Sequence, residues 1–466
     1  MIKLKNFFLL MLLVVIIWFV GFMVFKILLF HFTTDYSNEV TIIDTVTVQT
    51  GDESYELSLP YTFENISENE TVTLSFSYEV VGDDILYFKT TYCPVKLFID
   101  GELTYQHGQD GTFPDFVTSP IAKVQLVQLQ DDALNNISIE YSPASVRSDM
   151  ELDLIIVGSQ QSIIYYILTK TGLQFITACF LSLLGIFLVL FFFLLSISKK
   201  PDMSVLWLGL SAFLCGIWGF GESDLSGLLV MKESILYVCV FIGISLLAVP
   251  IQLYLLSVIK FKHDFLTRFL IYFDLTLAST SIILQSFGIL SFYQTLPVFI
   301  ALACVIIIFA PLNTYYEWKK YDNQNARNFL VPYTILAFSF FIEILNYIFK
   351  FSENICLFAQ IGVIIFIFCN GFLYAKMLKE SELLEEENKK IVFEYQLMAN
   401  AVKEHKRYHK LLLETREKIR EQRHDLRHQL AVIKGFIDDG TIDKASEYLN
   451  ILNAQIPSEP KTFCDN

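Results

Sequence analysis

Three regimes of hydrophobic patterning divide the chain. Unbroken apolar runs open it and fill its middle, strict alternation lies between them, and helical spacing takes over toward the end. The opening run, "NFFLLMLLVVIIWFVGFMVF", is long enough to cross a hydrocarbon core of roughly 30 Å. With no small-residue cleavage site it reads as a retained anchor over residues 6–30. Seven more apolar runs, near 164–195, 204–222, 234–258, 268–288, 294–316, 328–350 and 355–375, predict a seven-helix transmembrane bundle over 164–375.

Residues 38–160 alternate apolar and polar positions in "TVTLSFSYEV", "ILYFKTTY", "VKLFIDGELTY", "AKVQLVQL", "NISIEYS" and "LDLIIVG". Within the third, Asp100-Gly101 separates two alternating runs, the mark of a two-residue hairpin. Short strands broken by turns predict an all-β, jelly-roll-like sandwich.

Past the last span the chain turns charged, and glycine and proline are absent from Tyr374 to Lys434. Met377, Leu384, Ile391, Met398, His405, Leu412, Ile419 and Leu426 recur every seven residues, so 376–420 is expected to be a signalling helix in a parallel coiled coil, hence a homodimer. A single solvated helix is the rival reading. The seam runs on through Leu430, Ile433 and Ile437, "DDGT" turns the chain, and Ile442, Ala445, Leu449, Leu452 and Ile456 give a second helix one apolar side, stopped at Pro457. Residues 421–457 thus form a two-helix hairpin, and two copies would pack as a four-helix bundle.

Composition agrees with a multi-domain membrane protein: 54% hydrophobic, 15% aromatic, mean hydropathy +0.48. The net charge of −15 is concentrated between His31 and Ile163, where 22 acidic residues face 4 basic ones. Such a balance excludes nucleic acid as a partner. Lysine and arginine collect in alternate connections (Lys199 and Lys200; Lys260, Lys262 and Arg268; Lys319, Lys320 and Arg327), and Lys3 and Lys5 flank the anchor. The positive-inside rule then puts the N-terminus and the C-terminal tail in the cytoplasm and residues 31–163 outside. Eight cysteines form no CxxC pair and no disulfide framework, and no metal site is expected.

Candidate chemistry is sparse. In the outer segment Tyr92, Tyr105, Phe113 and Phe116, with Asp110 and Asp115, could stack on a sugar; an ordinary aromatic core is the alternative. The expected partner there is a carbohydrate or a peptide. Sequons at Asn65, Asn69 and Asn136 decide little. Asp274, Glu343 and Lys170 fall in spans; the carboxyls are expected to be protonated and hydrogen-bonded between helices, and without a regular relay a transporter is disfavoured. In "EQRHDLRHQL" His424 and His428 lie one turn apart and project away from the Leu426–Leu430–Ile433 face. An exposed neutral imidazole can attack an in-line γ-phosphate. Asp425 would hold the other ring N–H, and Arg423 and Arg427 could neutralise phosphate oxygens.

"QRHDLRHQLAVIKGFIDDGTIDKASEYL" resembles the dimerisation and phosphoacceptor hairpin of bacterial sensor histidine kinases, in the branch with peptide-sensing quorum kinases. The resemblance implies His424 as phosphoacceptor, Asp425 as its base and His428 where asparagine is common. The layout upstream resembles seven-transmembrane receptors with diverse intracellular signalling modules, which place an extracellular β-sandwich before the spans. It implies a multi-pass protein of the bacterial cell membrane that passes phosphate to a response regulator. One departure stands out: such a kinase continues into an ATP-binding domain, which "FCDN" within 458–466 only begins. No cofactor is therefore expected in this chain, and ATP with Mg²⁺ only alongside a missing or partner domain. The alternative is a non-enzymatic receptor whose helical dimer recruits partners.

Overall fold

The computed structural model describes residues 40–455, except 65, 68, 69, 110, 111, 113, 115, 118, 119, 130–133, 144–148, 199–201 and 230–232. The anchor expected at 6–30, the tail at 458–466, Phe113, Asp110, Asp115 and the sequons at Asn65 and Asn69 lie outside the described residues. The chain forms two compact units, Met1–Met377 and Leu378–Asn466.

Twelve strands are described: β1 Thr41–Ile43, β2 Thr45–Thr50, β3 Glu53–Ser58, β4 Tyr61–Phe63, β5 Val72–Glu79, β6 Asp84–Thr90, β7 Val95–Ile99, β8 Glu102–His107, β9 Lys123–Gln128, β10 Leu134–Tyr141, β11 Met150–Leu152 and β12 Ile155–Ser159. They make an antiparallel sandwich. One sheet runs β3-β2-β5-β10-β7-β8, the other β1-β12-β6-β9, and β11 pairs with β4. Alternation explains the packing: in β10 every second residue is buried, so Ile137 and Ile139 meet Leu74, Leu97, Leu86 and Phe88 in one core. At the β7–β8 hairpin Asp100 and Gly101 take φ +49° and +83°, the left-handed turn that an Asp-Gly pair favours.

Strand β6 is buried on both faces. Leu86 and Phe88 enter the sandwich core, while Ile85 and Tyr87 join Ile156, Ile163 and Ile167 on the other side. Ile163 and Ile167 belong to the first turns of helix α1 (Gln160–Ser198), which follows β12 directly. After it come α2 (Met203–Glu222), α3 (Asp224–Leu229), α4 (Glu233–Leu246), α5 (Ala248–Ile259), α6 (Phe265–Ser286), α7 (Phe292–Tyr321) and α8 (Gln324–Phe349). Helices α4 and α5 are one apolar stretch broken at Leu247, since Pro250 has no N–H to offer the Leu246 carbonyl. Among the described residues six helices are long and apolar enough to cross a membrane, and a shorter apolar stretch, Leu357–Leu373, follows them.

Close helix contacts depend on missing side chains. A Cβ on Gly185 would lie 2.4 Å from the Phe213 amide nitrogen, and one on Gly216 2.5 Å from that of Ser182. Small residues let α1 and α2 approach so closely. At the end remote from the sandwich, buried Glu317 accepts the Lys262 N–H at 3.0 Å, and Asn323 caps α8 while its amide donates to the Ile259 carbonyl.

Helix α9 runs unbroken from Leu357 to Asp438. It ends in a Schellman motif: the Thr441 N–H reaches the Phe436 carbonyl, the Gly440 N–H that of Ile437, and Gly440 takes φ +71°. Helix α10 (Ile442–Gln455) folds back. Its inward face is not the one expected. Ala445 is buried with Tyr448 and Leu452 beside it, whereas Ile442 and Leu449 are exposed. Two helices share a single seam, and the Phe436–Tyr448 ring contact at 6.2 Å sets it, leaving the larger aliphatics on a second, open face.

Candidate functional site

His424 stands on α9 with three quarters of its side chain exposed, as does Asp425 beside it. Its Nδ1 lies 3.6 Å from Asp425 Oδ1, outside hydrogen-bond range, because consecutive helical residues diverge by about 100°. The carboxylate therefore neighbours the ring without bonding to it in this conformation. The His428 ring is 5.7 Å from that of His424, one turn along the same side, and Arg423 and Arg427 are exposed.

Helical geometry orders the surroundings. Leu426, Leu430, Ile433 and Ile437 centre at about 210° from His424, nearly opposite to it. Leu426, Leu430 and Ile437 are more than half exposed, so the stripe is open in the isolated chain. Val432 and Phe436, with Ile433 at the margin, are partly buried toward α10 on a neighbouring face. Ring, hairpin contact and stripe thus occupy three separate sectors of one helix. Upstream, Leu384, Ile391, Met398, Leu412 and Ile419 are likewise exposed.

In the sandwich the three described aromatic candidates do not form one platform. Tyr92 packs on Tyr293 at 5.3 Å and Tyr237 at 6.5 Å, and Phe116 lies on the same helical core, its carbonyl accepting from Gln285. Tyr105 donates its hydroxyl to Gln125 at 2.6 Å within the sandwich. Protein neighbours claim each ring, because rings of this size contribute most by burying area.

Charged pairs that the patterning did not single out join sandwich and helices. Lys89 lies 2.7 Å from Asp224, Lys123 2.5 Å from Glu233, and Lys350 2.6 Å from Glu151. Burial works to lower the Lys89 pKa, yet Asp224 and then Asp153 outweigh it and hold the ammonium well above its ordinary value. Burial raises the Asp153 carboxyl, with Lys89 opposing. Burial also lowers His107, against the pull of Glu233, whose carboxylate is 3.5 Å from Nε2. The available signal was the scarcity of cations: Lys89, Lys96 and Lys123 are three of the four basic residues in the acidic segment, and each is paired.

The two intramembrane carboxyls part ways. Glu343 accepts backbone N–H groups from Cys356 (2.7 Å), Phe358 (3.0 Å) and Ala359 (3.3 Å). It caps the start of α9, whose first amides have no intrahelical acceptor and favour negative charge. Glu343 thus makes the expected hydrogen bonds from one helix to the next, whereas Asp274 is buried with its Oδ2 unpartnered. Lys170 pairs with Glu353 at 2.8 Å.

Residues 404–463 match the family described as Sensor_kinase_SpoOB-type, alpha-helical domain, so the C-terminal region carries a sensor-kinase helical domain. No curated protein matches the chain. Among solved structures, a GH2 β-galacturonidase from Eisenbergiella tayi is 14% identical at TM-score 0.20, over 26% of this chain and 24% of that one. A β-glucosidase from Kluyveromyces marxianus is 14% identical at TM-score 0.19, over 28% and 19%. A CBM36-1 domain of a xylanase from the hindgut metagenome of Trinervitermes trinervoides is 18% identical at TM-score 0.16, over 26% of this chain and 98% of that domain. The chain thus spans less than a quarter of the two enzymes' length.

Proposed function

We propose that this chain is a membrane signal-transduction sensor of the two-component histidine-kinase type, in which His424 receives a phosphoryl group and passes it to a response regulator. The observation that carries the reading is an exposed imidazole inside the matched sensor-kinase helical domain, on a helix that begins as an apolar stretch. The neutral ring attacks the γ-phosphorus with its free nitrogen. A nitrogen–phosphorus bond forms, the bond to the ADP oxygen breaks, and the ring N–H faces Asp425. An ATP-binding domain, in the same polypeptide or a partner, holds the nucleotide. Transfer to an aspartate of the regulator then breaks the nitrogen–phosphorus bond.

The acidic sandwich faces outward in the bacterial cell membrane, and the basic connections and α9's distal part lie in the cytoplasm, as the placement of lysine and arginine supports. Two copies pair through the exposed heptad positions of α9, since an apolar seam at that spacing is stable only when covered. A signal at the sandwich or the bundle biases two arrangements of the paired helices and so the access to His424.

Radiolabelled ATP, supplied with an ATP-binding domain of this kinase type, tests the assignment. The expected product is an acid-labile, base-stable phosphate on the wild-type chain and none on His424→Gln. Labelling that survives His424→Gln would put the phosphate on another residue; no labelling of the wild type, or signalling that persists in His424→Gln, would leave a non-enzymatic receptor as the better reading.

A further inference from the structure

A cavity of about 880 Å³ lies between the sandwich and the helices, within the size range of small-molecule sites. Its two ends differ. Toward the sandwich Lys89, Lys170 and Lys350 line it, and each is already taken by an acid: Asp224, Glu353 and Glu151. Deeper, the wall is apolar, built from residues such as Phe241, Leu296, Leu302, Tyr333, Leu336 and Phe340.

Three carboxyls interrupt that apolar part: Glu222, Asp274 and Glu343. Glu343 is committed to the amides that start α9. Asp274 is 2% exposed, and among the described residues no hydrogen bond or ion pair reaches its Oδ2. An acceptor buried at membrane depth without a donor is costly, and such a group facing a cavity marks a place where something else supplies the donor. With the lysines neutralised, the ionisable groups left without a counter-ion among the described residues are acidic, beside one unpartnered neutral donor, Trp218 Nε1, so the complementary ligand is a cation.

We propose that this cavity binds a small amphiphilic amine, its apolar body against the Phe241–Phe340 wall and its protonated nitrogen donating to Asp274 Oδ2. Size, apolar lining and one unmet buried acceptor all ask for that combination, and a bilayer acyl chain answers only the first two. Glu343 stands in the same wall, so the bound ligand lies against the residue that fixes the first amides of α9. That coupling rests on the signalling role proposed above; the binding does not.

The test uses the full chain in phosphatidylcholine nanodiscs, with tritiated dodecylamine as the probe and empty nanodiscs subtracted. The expected result is saturable binding at one site per chain, with dodecanol and dodecanoate competing at least about tenfold more weakly than unlabelled dodecylamine. Asp274→Asn, which removes the carboxyl that would pair with the ammonium and keeps the side-chain shape, weakens binding by about tenfold or more. Ala337→Phe, which fills the cavity from a lining position, abolishes it. Binding no greater than to empty discs overturns the proposal, as does full binding by both variants or a resident phospholipid that dodecylamine does not displace. Phosphate transfer to His424 is measured separately, so a wild-type chain that is labelled but binds no amine rejects the ligand site alone.

Discussion

His107 ties a single side chain to a measurable pH dependence. Burial lowers its pKa, so the folded protein resists a proton that the unfolded chain accepts from about pH 6.5 downward. Stability is then lost as pH falls through about 6.5 toward the lowered folded value. His107→Gln removes that component: between about pH 7.5 and about pH 5.5 its melting midpoint in micelles should fall less than the wild type's. An equal fall in both would show that the ring does not titrate as its burial implies. The same scale shows where sequence reading stops. Asp274 and Glu343 were visible as acids in apolar runs, but their surroundings were not. Glu343 finds its donors at Cys356, Phe358 and Ala359, beyond a loop, and Asp274 finds none at Oδ2.

Among elements, legibility followed the strength of the local period. Strands β5, β7 and β10 stood out because alternate positions are apolar and buried, and β6 and β12 because they are apolar runs. Three of the first four did not: β3 is polar and mostly exposed, and β1 and β4 have three residues each, too few to show a period; β2 does alternate, with Val46 and Val48 buried, and was passed over. In α10 the period was read but its phase was not, since Tyr448, not Leu449, turns inward. Helix α9 showed a seven-residue repeat, and the described apolar residues of that repeat upstream of His424 (Leu384, Ile391, Met398, Leu412 and Ile419) are exposed in the single chain. Placing aspartate at Ile391 and Met398 together should convert a dimer to a monomer by light scattering, with the helix content nearly unchanged by circular dichroism. A dimer that persists would mean that the chains associate elsewhere.

For Met1–Met377 taken whole, sandwich and helices are joined by charge as well as by apolar packing. Glu233 serves Lys123 at 2.5 Å and His107 at 3.5 Å with one carboxylate. Glu233→Ala leaves a partly buried ammonium without its partner and should cost about 1–3 kcal/mol, read as a lower unfolding midpoint in micelles. The exchanged pair Lys123→Glu with Glu233→Lys should recover part of that loss; no recovery would mean that the charge pairing is unimportant. This junction was hard to foresee because its partners are far apart along the chain, as Lys89 and Asp224 are. One signal existed: "ILYF" in β6 is apolar at four successive positions, the mark of a strand covered on both sides. Helix α9 has a consequence of another kind. With no break between Leu384 and His424, the bearing of the imidazole relative to the seam is fixed by residue count, each position adding about 100°. Two residues inserted after Ile391 would swing the ring by about 200°, and seven would return it to within about 20°. Labelling measured across a ladder of insertions should therefore rise and fall like the reading of a dial, while a flat response would mean that angular bearing is not what the rod conveys.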